Sequence, residues 1–244
     1  MRRLVALAVL AVGIGSAPTP AAAQSGEASE IRSVTTTAEV RPDGSMAVRE
    51  VLEYDFTADR NGGFRTFEAG FGEYEIEDFA VTEDGDPRDL APGFDEPDFG
   101  GQIRWYGSGD RSQVSGRHTY VLTYTVEGAV DVCADAAVLF WQFVGTDFPE
   151  LAEGVSVDVS FPESAQPLQA FAHGDLGGVV EPVANVVRLR VPSNPAGAFV
   201  ETRVLAPVEA FPAVTPDPGP CRQAVLDEEA GFAAAANAER ERIR

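Results

Sequence analysis

Gly116-Arg117-His118-Thr119-Tyr120-Val121-Leu122-Thr123-Tyr124-Thr125-Val126-Glu127-Gly128 decides how the chain folds. His118, Tyr120, Leu122, Tyr124 and Val126 share one parity, and Thr119, Thr123 and Thr125 take the other. Successive side chains of a strand point to opposite faces, so this alternation predicts a strand with one buried and one solvated face. The inner parity makes His118 a packed or hydrogen-bonded residue near a sheet edge. Downstream, Val138-Leu139-Phe140-Trp141-Gln142-Phe143-Val144 is a nearly unbroken apolar run. That pattern suits a central strand covered on both sides.

The same period extends in both directions. Residues 31–40 are rich in Thr and Val. Pro42-Asp43-Gly44-Ser45 then supplies a turn, with Pro presetting φ and Gly accepting a positive one. Met46, Val48, Leu52, Tyr54 and Phe56 follow on one parity, against Arg49, Glu53 and Asp55, and complete a predicted hairpin. Further strands are expected at Phe64 to Phe67, at Tyr74 to Val81 (ended by Glu83-Asp84-Gly85-Asp86-Pro87) and at Ile103 and Trp105. Three more are expected at Val155 to Phe161, Val179 to Val191 and Ala198 to Leu205, for about ten in all. Residues 89–101 and 107–116 read as loops, and His173-Gly174-Asp175 as a turn. Helical periodicity is nearly absent. The expected fold is all-β: an antiparallel two-sheet β-sandwich, immunoglobulin-like or related, with an N-terminal signal peptide and a short C-terminal helix.

The signal peptide is expected at residues 1–23. Arg2 and Arg3 form a positive start, Leu4 to Ala11 an apolar core, and Ala21-Ala22-Ala23 a small-residue cleavage site before Gln24. The apolar run is shorter than the roughly 20 residues a membrane span needs. The sandwich is then expected over 24–214, a Pro-rich linker over 215–221, and a helix or stalk over 222–244. In that helix Asp227, Glu228 and Glu229 come early and Arg240, Arg242 and Arg244 late, which complements the helix dipole. Its apolar face is thin, so it is not expected in the core.

The 18 basic residues, all Arg, oppose 39 Asp and Glu, for a formal net charge of −21. Such a field repels nucleic acid and anionic lipid headgroups. The expected partner is an envelope protein or a glycan. Cys133 and Cys221 are expected to form a disulfide, as cysteine pairs in exported chains usually do; two separate thiols remain the alternative. Two cysteines without suitably spaced His do not make a zinc site.

Catalytic motifs are missing: there is no Gly-x-Ser-x-Gly elbow, His-Glu-x-x-His pair, phosphate loop or dinucleotide fingerprint. No catalytic residue, cofactor or metal ligand is therefore expected. Two weaker readings stay open. Trp105-Tyr106 and Trp141 could stack on sugar, and abundant carboxylates could serve glycoside hydrolysis, although Trp141 suits a core better. The acidic stretch from Glu75 to Asp98 could hold calcium as an adhesin does, but Asp84-Gly85-Asp86 lacks the EF-hand order and a solvated face explains it equally.

Asp43-Gly44-Ser45, Val48-x-Glu50, Gly63-Phe64-Arg65, Asp84-Gly85, Gly116…Tyr120-x-Leu122-x-Tyr124-x-Val126-x-Gly128 and Leu139-Phe140-Trp141…Gly145 stand in an order that resembles a group of predicted bacterial membrane proteins, the domain of unknown function 2207 family. The resemblance covers roughly residues 30–210. It implies an extracytoplasmic β domain behind a signal peptide, followed by a membrane helix and a Gly-rich cytoplasmic tail. It supplies no catalytic residues. Gln142 stands where Asn is common in that pattern, and Gly62 where His is frequent. The membrane helix does not follow Arg244, so the chain is expected to be either a truncated membrane protein or a secreted variant. The function expected is that of an exported, non-enzymatic cell-envelope module that acts by interaction.

Overall fold

The structure, a computed structural model, describes residues 29–67, 74–91, 101–107, 114–148, 151 and 153–243. Among these, fourteen strands precede one helix. In chain order they are β1 (Ser29–Val40), β2 (Met46–Arg60), β3 (Gly62–Thr66), β4 (Glu75–Glu83), β5 (Asp86–Pro87), β6 (Gln102–Tyr106) and β7 (Val114–Glu127). Then follow β8 (Val130–Val132), β9 (Ala137–Val144), β10 (Val155–Ser160), β11 (Gln169–Gly174), β12 (Val179–Val183), β13 (Val186–Val191), β14 (Val200–Ala206) and α1 (Arg222–Arg242). The expected signal peptide at 1–23 lies outside the described residues.

The strands make three sheets. The largest has eight in the order β12-β13-β10-β1-β2-β7-β4-β5, the second has four in the order β11-β14-β9-β8, and β3 pairs with β6 alone. β2 lies between the two strands of clearest alternation. It pairs antiparallel with β1 on one side and with β7 on the other, Val48 opposite both Ala38 and Tyr124. The turn at 42–45 closes the β1–β2 hairpin. There Gly44 takes φ +85°, and Asp43 Oδ1 accepts hydrogen bonds from the Ser45 amide at 3.0 Å and hydroxyl at 2.7 Å.

The sheet is not wholly antiparallel. β10 runs parallel to β1, with Val34, Thr36 and Ala38 opposite Val155, Val157 and Val159. Both strands carry their small and β-branched residues on one parity, so either direction would bury the same face. Chain direction is set instead by β9, which leaves the second sheet and returns to the first as β10. Three further differences are local. Residues 179–191 form a β12–β13 hairpin, with Ala184 at φ +55° in the turn, rather than one strand. His173 belongs to β11 rather than to a turn, and β7 begins at Val114 inside the expected loop.

One contiguous apolar core joins the three sheets, with Tyr120, Leu122, Phe143, Val157, Leu189 and Ile103 fully enclosed. Trp105 and Trp141 are 2% and 3% exposed. Both tryptophans are thus core residues, which removes them from the alternative sugar-stacking platform. Trp141 meets Tyr74 edge-on at 5.0 Å, and Trp105 lies 5.7 Å from Tyr120. α1 starts just beyond the Pro-rich segment. Val225 and Leu226 pack on Cys133, Ala136 and Leu205 of the four-stranded sheet. The expected stalk therefore lies along the domain.

Candidate functional site

Three polar clusters stand out against the apolar core, each built where two or more elements meet.

The deepest joins all three sheets. Glu50 sits on the inner parity of β2, between Val48 and Leu52, and is fully buried. Arg65 of β3 reaches it from above, with Nε donating to Oε2 at 3.1 Å and Nη2 to Oε1 at 3.2 Å. The Tyr124 hydroxyl of β7 donates to Oε1 at 2.5 Å. Arg65 also donates to the carbonyls of Thr66 and of Phe143 in β9, at 2.6 and 3.2 Å. Its guanidinium faces the Phe67 and Phe148 rings at 5.2 and 5.7 Å. Burial, then the Glu50 charge, pushes the Tyr124 phenol well above its usual range. A carboxylate with this many donors and no water access is a tie between sheets, not a general base facing substrate.

The second cluster holds α1 on the domain. Cys133, just after β8, is joined to Cys221, with Cα atoms 6.0 Å apart. Asp135 Oδ1 accepts hydrogen bonds from the Cys221 and Arg222 amides at 2.8 and 3.1 Å. It thereby satisfies two orphan donors at the helix N-terminus, and those bonds hold its pKa below the usual carboxylate value. Two turns on, Glu229 is almost fully buried. It accepts from Arg203 Nη1 of β14 at 2.9 Å and bonds His173 Nε2 of β11 at 2.8 Å. His173 Nδ1 bonds Glu201 at 2.9 Å. Burial disfavours the imidazolium, but the two carboxylates outweigh it and raise the His173 pKa to about 9. Arg203 also lies 4.2 Å over the Phe140 ring.

The third cluster occupies the corner where β4 turns into β5 beside β7. Asp84 and Gly85 have φ of +52° and +94°, the left-handed pair that a two-residue type I′ hairpin needs. The turn leaves Glu83 buried at the end of β4 and Asp84 half-exposed above the end of β7. His118 Nδ1 lies 2.9 Å from Glu83 Oε1 and 3.0 Å from Asp84 Oδ2. Arg88 Nε donates to Glu83 Oε2 at 2.7 Å. Glu83, Asp84 and Arg88 fall inside the acidic stretch read from sequence, while His118 comes from β7; residues 92–98 of that stretch lie outside the described residues.

A shallow groove of about 530 Å³ opens on the outer face of the eight-stranded sheet, lined by Thr37, Glu39, Arg49, Asp78, Thr123 and Thr125 among others. Of the residues singled out from sequence, the structure brings Cys133 and Cys221 together and buries Trp105 and Trp141. The roles of Glu50, Glu83 and Glu229 were not read from sequence, although Glu50 signalled itself by interrupting the apolar parity of β2.

With this arrangement in view, the sequence profile described as the predicted membrane protein (DUF2207) N-terminal domain matches residues 30–206. The chain belongs to that family. Glu50, Arg65 and Tyr124 all lie within the matched residues. No curated protein matches the sequence. Among solved structures, native leukotriene A4 hydrolase from Saccharomyces cerevisiae is similar over 71% of this chain and 28% of its own, at 10% identity and a TM-score of 0.44. The M1 zinc metallopeptidase from Deinococcus radiodurans is similar over 71% of this chain and 41% of its own, at 12% identity and a TM-score of 0.42. The chain spans less than half the length of either. Among the described residues, no helix is long and apolar enough to cross a membrane.

Proposed function

We propose that the chain is an exported cell-envelope module with a β-sandwich body, directed by a signal peptide at residues 1–23, that acts by binding an envelope partner rather than by catalysis. The observation that carries this reading is where the family motifs lead. Glu50, Arg65 and Tyr124 are spent on a buried tie between sheets, at 0%, 3% and 3% exposure, and not on a cleft. The disulfide supports an oxidising compartment, since such bonds persist outside the cytosol. The two larger sheets serve as the faces of the sandwich.

The surface offered to a partner is the groove over β1, β2 and β7, where threonine hydroxyls surround Arg49, Glu39 and Asp78. A photo-cross-linker placed at Thr123 should trap one discrete envelope adduct, and the same group at Arg188, on the same outer face but four strands away in β13, should trap none. Equal labelling at both positions would overturn the reading. So would substrate turnover that a single His or carboxylate substitution abolishes.

A further inference from the structure

We infer that Glu83, Asp84 and His118 form a binding site for one divalent transition-metal ion of the zinc type, at the corner of β4, β5 and β7. Their ligand atoms, Glu83 Oε1, Asp84 Oδ2 and His118 Nδ1, all lie within 4.8 Å of one another. Two of the separations, 2.9 and 3.0 Å, approach the roughly 3.3 Å edge of a tetrahedron whose ligands sit about 2.0–2.1 Å from the ion.

Each ligand is aimed by a partner on its other polar atom. Arg88 holds Glu83 Oε2 at 2.7 Å. The Thr119 amide holds Asp84 Oδ1 at 2.9 Å. The Ser115 carbonyl lies 3.1 Å from His118 Nε2. These are the outer contacts that orient metal ligands. They also constrain the proton. A carbonyl can only accept, so Nε2 carries a hydrogen, and in the neutral ring Nδ1 then points a lone pair at two carboxylate oxygens. Acceptors facing one point can share a metal cation or a proton on Nδ1, and titration with metal separates the two.

Tyr120, two residues along β7 from His118 and paired with Glu83 across the sheet, is fully buried and closes the inner side of the corner. The Asp84 side chain, 52% exposed, leaves the fourth coordination position reachable from solvent. An N/O donor set with imidazole favours zinc and its neighbours over calcium, which takes six to eight oxygens.

Calorimetric titration of the full chain, disulfide intact and stripped of metal, tests this with zinc and calcium chlorides. Zinc should saturate at one ion per chain, more tightly than calcium. Asp84→Asn and His118→Ala should each weaken it at least about 10-fold. Asp86→Asn, one residue past the turn, should leave it unchanged. Nitrogen-15 spectra of the wild-type histidine rings should show His118 Nδ1 moving on zinc addition while His173 stays. Asp84 is half-exposed, so Asp84→Asn keeps the test valid if His118→Ala misfolds. Three results would overturn the site: no saturable heat up to about 1 mM zinc, binding that survives both substitutions, or calcium bound as tightly as zinc.

Discussion

Glu50 occupies a position where alternation alone would place an aliphatic side chain. A buried charge is tolerated only when paired and fully hydrogen-bonded, and removing one partner strands the other. Arg65→Ala should therefore cost about 3–5 kcal/mol. Tyr124→Phe, which removes one donor, should cost about 1–3 kcal/mol. Thr123→Ala, on the solvated face of the same strand, should stay within about 0.5 kcal/mol. Denaturant melts of the three variants check the order; equal costs would mean the parity is misassigned. The acid itself was legible in the sequence as a break in Met46-x-Val48-x-Glu50-x-Leu52. Its partner was not, because Arg65 reaches it from a different sheet.

His173 makes a second prediction at this scale. Its folded pKa of about 9 lies above the ordinary 6.5, so the folded state favours the imidazolium. The stabilisation is complete below pH 6.5 and disappears as pH rises through about 9. Unfolding midpoints should fall over that window in the wild type and change less in His173→Gln. A midpoint that rises with pH over this window would contradict the Glu201–His173–Glu229 arrangement.

Among elements, the hairpins were readable and the long-range pairings were not. β1–β2 announces itself through Asp43-Gly44 between two alternating runs, and β4–β5 through Asp84-Gly85. The parallel β1–β10 contact leaves no such mark, since Val34 meets Val155 without any turn between them. β8 is too short to show a period. β11 hides because Gln169, Phe171 and His173 mix polarity on one parity; Phe171 and His173 face α1, not the core. The helix was visible by its charge order, but its docking depended on Glu229, which reads in sequence as one acid among many.

α1 holds through the disulfide, the Asp135 cap and the Arg203–Glu229–His173 network, with few apolar contacts. Closing a loop of sequence separation 88 contributes about 4–5 kcal/mol in the chain-entropy view. Reduction combined with Arg203→Ala should release the helix locally before the sheets open. Hydrogen exchange should then show residues 222–242 losing protection while β2 and β7 keep theirs. Simultaneous loss in helix and sheets would show that the helix is integral to the core.

For the whole molecule, a chain with net charge −21 folds around an apolar core that spans three sheets, and three of its 18 arginines sit at the joints. Arg65 ties the sheets, Arg203 seats the helix and Arg88 fixes the β4–β5 corner. This distribution suits the envelope module proposed above, with screening by salt limiting the self-repulsion of a negative exterior. Export into an oxidising compartment, with the helix stapled down, is what joins the proposed function to the disulfide. Non-reducing peptide mapping by mass spectrometry, on chain recovered from the envelope fraction, checks both at once. An exported chain should show a mature N-terminus at Gln24 and one cross-linked peptide pair containing Cys133 and Cys221. A chain that retains Met1 through Ala23 and carries two free thiols would contradict both.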